Sequence, residues 1–258
     1  MKTRYEILLI LLAICSLLTI TGCASYRPPG PKADLQNFAP ASIQAGFDRK
    51  PTHPFPAAVA VVRLQGSGYS NYNLRHNGGE YGSGKYSVIL VKEVEEQTQL
   101  DRILKLPSLA GIVGLNRMLL PENLNSDEDL RIAASKVQAD LLFIYTFDTG
   151  FYEKDYATAL SVVTLGLLPS RQIKAITTAS AMLMDTRTGY IYAVYEATEK
   201  ADTLSSAWDT ADNADHVRRK TEQAAFEKLV DEFVTTWPKL LATALEVSKK
   251  KDAKSDRK

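Results

Sequence analysis

Groups able to act as nucleophiles or metal ligands are sparse in this 258-residue chain. Its two cysteines are Cys15 and Cys23, and its three histidines are His53, His76 and His216. No HxxxH or HExxH spacing joins the histidines and no cysteine stands near them, so the ligand set of a zinc site is missing and no metal is expected. The chain has no GxSxG nucleophile elbow. The acidic groups Asp127, Glu128, Asp129 and Asp212, Asp215 are expected at helix starts or in solvent rather than as acid–base pairs. The glycine runs GSG (66–68) and GGEYGSG (78–84) match neither GxGxxG after a strand nor a P-loop with its Lys-Ser/Thr. No cofactor is expected, and the chain reads as non-catalytic.

One cysteine does sit in a suggestive place. Lys2 and Arg4 precede the run Ile7 to Ile20, which is apolar apart from Ser16 and Thr19. A run of ~14 residues falls short of the ~20 that span the hydrocarbon core, so residues 1–22 read as a cleaved signal peptide. The order Ile20, Thr21, Gly22, Cys23 then puts a thiol directly behind small residues. This segment resembles the lipobox of bacterial lipoproteins. The resemblance implies a diacylglycerol on Cys23, cleavage before it, and usually acylation of the new amino terminus. Each buried CH₂ is worth ~0.8 kcal/mol, so two or three chains anchor essentially permanently where one alone would not. In such proteins the residue after the cysteine directs sorting, and Asp there favours the inner membrane. Here Ala24 and Ser25 follow, which implies the periplasmic face of the outer membrane of a Gram-negative cell. Cys15 lies in the discarded segment, leaving Cys23 without a disulfide partner.

Loss of residues 1–22 removes Lys2, Arg4 and Glu6 from 31 basic and 30 acidic residues, leaving 29 of each. A neutral mature chain offers no basic stripe for nucleic acid. The one basic cluster is the tail Lys249 to Lys258, expected as a solvated, frayed end or as a weak contact for anionic lipid or glycan. Residues 23–56 carry Pro28, Pro29, Pro31, Pro40, Pro51, Pro54 and Pro56 and read as a lipidated linker that holds the folded body away from the bilayer. Leu35, Phe38, Ile43 and Phe47 could strap part of it onto the domain.

The folded domain is expected over 57–247, followed by a charged disordered tail at 248–258. It opens with AAVAVVRL (57–64), a run suited to a strand covered on both faces. Gly66 to Tyr86 is expected to be a long mobile loop. Its tyrosines Tyr69, Tyr72, Tyr81 and Tyr86 are candidate partner contacts, since each supplies a large amphipathic area at low entropic cost. A helix is expected from Val94 to Pro107, a second strand over Ser108 to Leu120, and a helix capped at Asn125-Ser126. LLFIYTF (141–147) reads as a strand. TTASAMLMD (177–185) and YIYAVYEA (190–197) read as an antiparallel hairpin turned at Gly189. The apolar positions from Val217 to Leu245 fall at spacings of three and four, predicting a long C-terminal helix kinked or split by Pro238. Ala157 to Leu168 (ATALSVVTLGLL) suits either a buried core segment or one strand of a multi-subunit barrel.

The expected fold class is therefore α/β (α+β), a single two-layer domain with a mixed sheet covered by helices. AVAVVRL, AASKVQADLLFIYTF and AMLMDTRTGYIYAVYEA, in that order, resemble the layout of bacterial rhombotail lipoproteins. More distantly they are similar to small α/β lipoproteins of the curli-secretion (CsgG) and penicillin-binding-protein-activator (LpoB) type. The resemblance spans about residues 57–240. It implies an accessory or binding module for an envelope protein partner, with a subunit of an oligomeric secretion or assembly complex as the alternative. The KKKDAKSDRK ending lacks the apolar tail of some rhombotail proteins, so processing at that end is not implied.

Overall fold

The computed structural model describes residues 29–38, 42–52, 55–155, 167, 171–206 and 209–255, the side chains of Asn37, Asp155 and residues beyond 246 excepted. After a 3₁₀ turn (Leu35–Phe38) the chain forms α1 (Ile43–Asp48), β1 (Ala57–Gly66), α2 (Tyr72–Asn77), β2 (Glu80–Tyr81), β3 (Ser83–Gly84) and β4 (Tyr86–Ile89). Next come α3 (Glu96–Leu104), β5 (Leu109–Gly114), β6 (Asn123–Leu124) and α4 (Asp127–Lys136). Three 15-residue strands and one helix complete it: β7 (Leu141–Asp155), β8 (Arg171–Asp185), β9 (Ile191–Ser205) and α5 (Thr210–Ser255). The architecture is mixed α/β, with a seven-stranded sheet ordered β2-β4-β1-β7-β8-β9 and β5 also paired to β1. β1 runs parallel to β5 and β7 and antiparallel to β4, and β7-β8-β9 are antiparallel.

Strand periodicity sorts the core into two faces. Val59 and Val61 of β1, with Leu141, Phe143, Tyr145 and Phe147 of β7, point to the face covered by α3 and α5. Ala60, Val62 and Leu64, with Leu142 and Ile144, point to the face covered by α4 and the N-terminal segment. Successive residues of a strand alternate sides, so a run apolar at every position serves both layers. On α5 the stripe Phe226, Leu229, Val230, Phe233 and Trp237 is wholly buried, and each such large side chain contributes about 1.5–3 kcal/mol. At the start of α4 the Asp129 carboxylate accepts from the backbone N–H groups of Asn125 and Ser126, which fixes the helix entry expected there.

Four expectations need correction. Pro238 lies inside α5 and does not split it. On its N-terminal side Trp237 stacks on Phe233 at 5.5 Å and donates its indole N–H to the Pro107 carbonyl, pinning the helix to the layer below. The backbone stays helical to Ser255 through the tail expected to be disordered. The strand expected over Ser108 to Leu120 stops at Gly114. Finally, the proline-rich segment does not hang free. Lys32 bridges Gln65, the Ala33 N–H donates to Thr146 Oγ1, Phe38 is fully buried against Tyr86, and Thr52 donates to Asp185. Gly30 presses so closely on the Gly68–Tyr69 backbone that a Cβ there would lie 2.5 Å from Tyr69 Cα. Of the proposed strap residues, Phe38 packs, Leu35 is half-buried, and Ile43 and Phe47 stay exposed.

Candidate functional site

The same alternation that sends Val59 and Val61 toward α5 also sends Arg63 there, where it is almost fully buried. From α5, Arg218 and Glu222 project one turn apart, and Asp215 stands three residues before Arg218. Glu96 opens α3 and Glu93 precedes it. Arg63 contacts Glu96 at 3.2 Å and Glu222 at 3.4 Å, while Arg218 contacts Glu222 at 2.7 Å, Asp215 at 2.9 Å and Glu93 at 3.1 Å. Tyr69 Oη accepts from Arg63 and Asn71, Tyr145 Oη donates to Glu96 Oε1, and Thr149 Oγ1 donates to Glu222 Oε1. Four carboxylates thus meet two guanidinium groups, and Arg219 pairs with Asp215 from the solvent side at 3.0 Å.

Burial opposes the charges on Arg63 and Arg218. Their acidic neighbours outweigh it, and both pKa values stand above the ordinary one. Glu93 is likewise opposed by burial yet held below the usual carboxylate range by Arg218 and Arg63. Burial, then the charge of Glu222, pushes Tyr69 up to about 12, and burial with Glu96 raises Tyr145 well above its ordinary value. Both phenols stay protonated at neutral pH. Every charged member is held by an opposite charge, and the cluster ties β1 and α3 to α5. Glu96 Oε2 and Arg63 Nε have no hydrogen-bond partner.

This cluster forms the floor of a cleft. β4 and β5 occupy the same edge of β1, at Arg63–Gly66 and Ala57–Val61 respectively, and diverge between. The fork leaves a space of about 360 Å³ with Arg63, Glu96 and Tyr145 at its base. Leu100 and Ile112 line its walls, and the exposed Lys92 and Arg117 border it. A second open region surrounds β9, which among the described residues pairs only with β8 and so ends the sheet. Grooves of about 380 and 410 Å³ flank its first half on the two faces. One lies between Tyr192 and Leu240 of α5, the other beside Met182 and Ile191, and both include Val194 and Tyr195.

The residues singled out from sequence are scattered. Cys23, Ala24, Ser25 and His53 lie outside the described residues, as does Ala157 to Leu168 except for the exposed Leu167. Gly66 to Tyr86 is not an irregular loop: it contains α2, capped by Asn71 Oδ1 accepting from the Leu74 N–H, and closes with the β2, β3 and β4 strands. Two of its four tyrosines are core. Tyr69 is 1% exposed within the charge cluster, and Tyr86 is 1% exposed with its hydroxyl donating to the Asp34 carbonyl. Tyr72 is half-buried against His76 and its pKa is raised by a hydrogen bond to Asp212. Tyr81 is half-buried under Arg117 and donates to the Leu120 carbonyl. Asp215, expected in solvent, is 4% exposed because Arg218 draws it inward.

Two signals for the cluster are in the sequence, neither of which names its partners. Arg63 interrupts the otherwise apolar run 57–64, and Arg218 and Glu222 sit on the turn that continues the apolar stripe of α5. A charge on a face destined for burial requires a buried counter-charge.

No family model matches the chain, and no curated protein matches it. Among solved structures it is similar to a neuraminyllactose-binding hemagglutinin homolog from Helicobacter pylori. That likeness covers 79% of this chain and 95% of that one at 10% identity, with a TM-score of 0.34.

Proposed function

We propose that this chain is a non-catalytic, lipid-anchored module of the cell envelope, held at the periplasmic face of the outer membrane through Cys23, and that it binds an envelope protein partner. The observation that carries the proposal is the course of residues 29–38. Among the described residues, Gly30, Lys32 and Ala33 touch the domain. Gly30 lies seven positions after Cys23, so the chain between them spans at most about 25 Å. A domain on so short a tether works beside the bilayer, with the turn at Gly68–Tyr69 on its near side. Since Tyr69 and Tyr86 are core, the partner contact moves to the fork cleft and its cations Lys92 and Arg117.

Labelled palmitate should enter the wild type and not Cys23→Ser; equal incorporation would overturn the anchor. Ala24→Asp should shift the protein toward the inner membrane in a density gradient. A Lys92→Glu, Arg117→Glu double variant should lose the partner recovered by crosslinking in cells, with Tm unchanged. Undiminished recovery would place the interface elsewhere.

The second reading, a subunit of an oligomeric assembly of the curli-secretion type, is favoured by one feature, the open 15-residue edge of β9. The size of the detergent-extracted particle separates the two, a large ring supporting the assembly and a monomer or dimer the accessory module.

A further inference from the structure

We propose that β9 joins two copies of this chain edge to edge, antiparallel about a two-fold axis through Thr198, continuing the sheet across the pair. A 15-residue edge strand presents a row of backbone donors and acceptors that a second strand can satisfy, and proteins normally blunt or cover such an edge. Among the described residues nothing covers this one.

The side chains indicate what fits. The even-numbered positions face away from α5 and are exposed from Val194 to Leu204, reading Val194, Glu196, Thr198, Lys200, Asp202, Leu204. A two-fold axis perpendicular to the sheet keeps both α5 helices on one side and sets even positions opposite even positions. Centred on Thr198, it places each Glu196 directly opposite the Lys200 of the second copy, so two opposite-charge pairs form at once. Opposed residues of this kind stabilise antiparallel pairs, and like charges destabilise them. Centring on Glu199 would set Glu196 against Asp202, a repulsion repeated by symmetry; centring on Ala197 would set Lys200 against Val194 and leave Glu196 opposite Thr198. The Thr198 register alone of these three is charge-complementary.

Within a single copy neither Glu196 nor Lys200 has an ion-pair partner among the described residues; Glu196 accepts only from Ser180 Oγ at 3.3 Å. The ends of the motif agree. Val194 and Leu204, 65% and 62% exposed, become diagonal neighbours across the axis. A strand with charges that complement themselves about one residue, and apolar groups at both ends, fits a second copy of itself better than an arbitrary peptide. Because such an interface uses the same patch on both subunits, it closes at two.

The proposal does not depend on the anchor at Cys23, and the test keeps the two apart. In the full-length chain in membranes, Thr198→Cys sets two thiols directly opposite, at the 4.5–5.5 Å Cα spacing of an antiparallel pair, within reach of a disulfide. Mild oxidation should convert most of this variant to a covalent dimer. Wild type, with threonine at 198, should give none, and Glu199→Cys should give at least several-fold less. Adding Lys200→Glu should reduce the Thr198→Cys crosslink about tenfold, and further adding Glu196→Lys should restore it. Monomeric Thr198→Cys, or equal crosslinking of Glu199→Cys, overturns the proposal. So does a covalent product whose mass shows a different polypeptide. If crosslinking succeeds while palmitate labelling of Cys23 fails, the interface stands and the anchor falls.

Discussion

Two parts of this molecule use the same residue types to opposite ends. Under α5, Arg63 and Arg218 meet Glu93, Glu96 and Glu222 with side chains at most 1% exposed. Along β9, Glu199 pairs with Lys228 of α5 at 2.9 Å, with side chains 34% and 61% exposed. The distances are similar; the surroundings are not. In water the ion pair exchanges one good environment for another and its net worth is small. In the interior each charge has already lost its hydration, so removing one partner strands the other at a cost far above the net value of the pair. The lesson concerns roles. The buried cluster holds β1, α3 and α5 in a single arrangement, whereas Glu196 and Lys200, exposed on the same strand as Glu199, are left to take a partner outside the chain.

The strongest way to break the comparison is Arg218→Ala, which leaves Glu222 and Glu93 to share Arg63 with Glu96. A loss of about 3–5 kcal/mol is expected from urea unfolding, and a loss below about 1 kcal/mol would mean that the cluster is wetter than its burial implies. Next are the two tyrosines of the segment 66–86 that share its composition but not its environment. Tyr69→Ser should cost about 3 kcal/mol, as truncation of a buried aromatic does, and Tyr72→Ser about 0.5 kcal/mol, as surface changes do. Equal costs would erase the distinction between core and rim.

Acid and alkali probe the cluster without mutation. The Glu93 pKa is lowered by Arg218 and Arg63 against the pull of burial, so its contribution is present above the ordinary carboxylate range and lost as pH falls through the lowered value. The Tyr69 pKa is raised to about 12. Its contribution is therefore complete below pH 10 and lost between about 10 and 12, a fall of roughly 2–3 kcal/mol that Tyr69→Phe should abolish in a melting series. The smallest effect belongs to the edge. Lys228→Ala should change stability by less than about 1 kcal/mol, and 0.5 M salt should remove even that difference.

Much of the fold was legible because it follows from local pattern. LLFIYTF is a strand since its apolar positions fill both layers, and the hairpin at Gly189 forms where that residue takes φ of 69°. The α5 stripe appears at spacings of three and four because those positions share a helix face. Gly66 to Tyr86 differs from the loop its composition suggests for an equally physical reason. Glycine and tyrosine together describe an exposed loop, but also a segment whose glycines permit close approach. At Gly79 a Cβ would meet Val91 Cγ2 at 2.1 Å, so the glycine is there for contact, not mobility.

The sequence by itself determined the alternation of strands and helices, the sides on which apolar residues lie and the candidate anchor at Cys23, because each is written in residues close along the chain. Tertiary structure alone decided that Arg63 would meet Glu222, 159 positions away, that the described part of the proline-rich segment would pack instead of spacing, and that β9 would end the sheet among the described residues. Those outcomes depend on which strand lies beside which. A charge in a buried strand announces that it needs a partner, but only the assembled layers bring one within 3.4 Å.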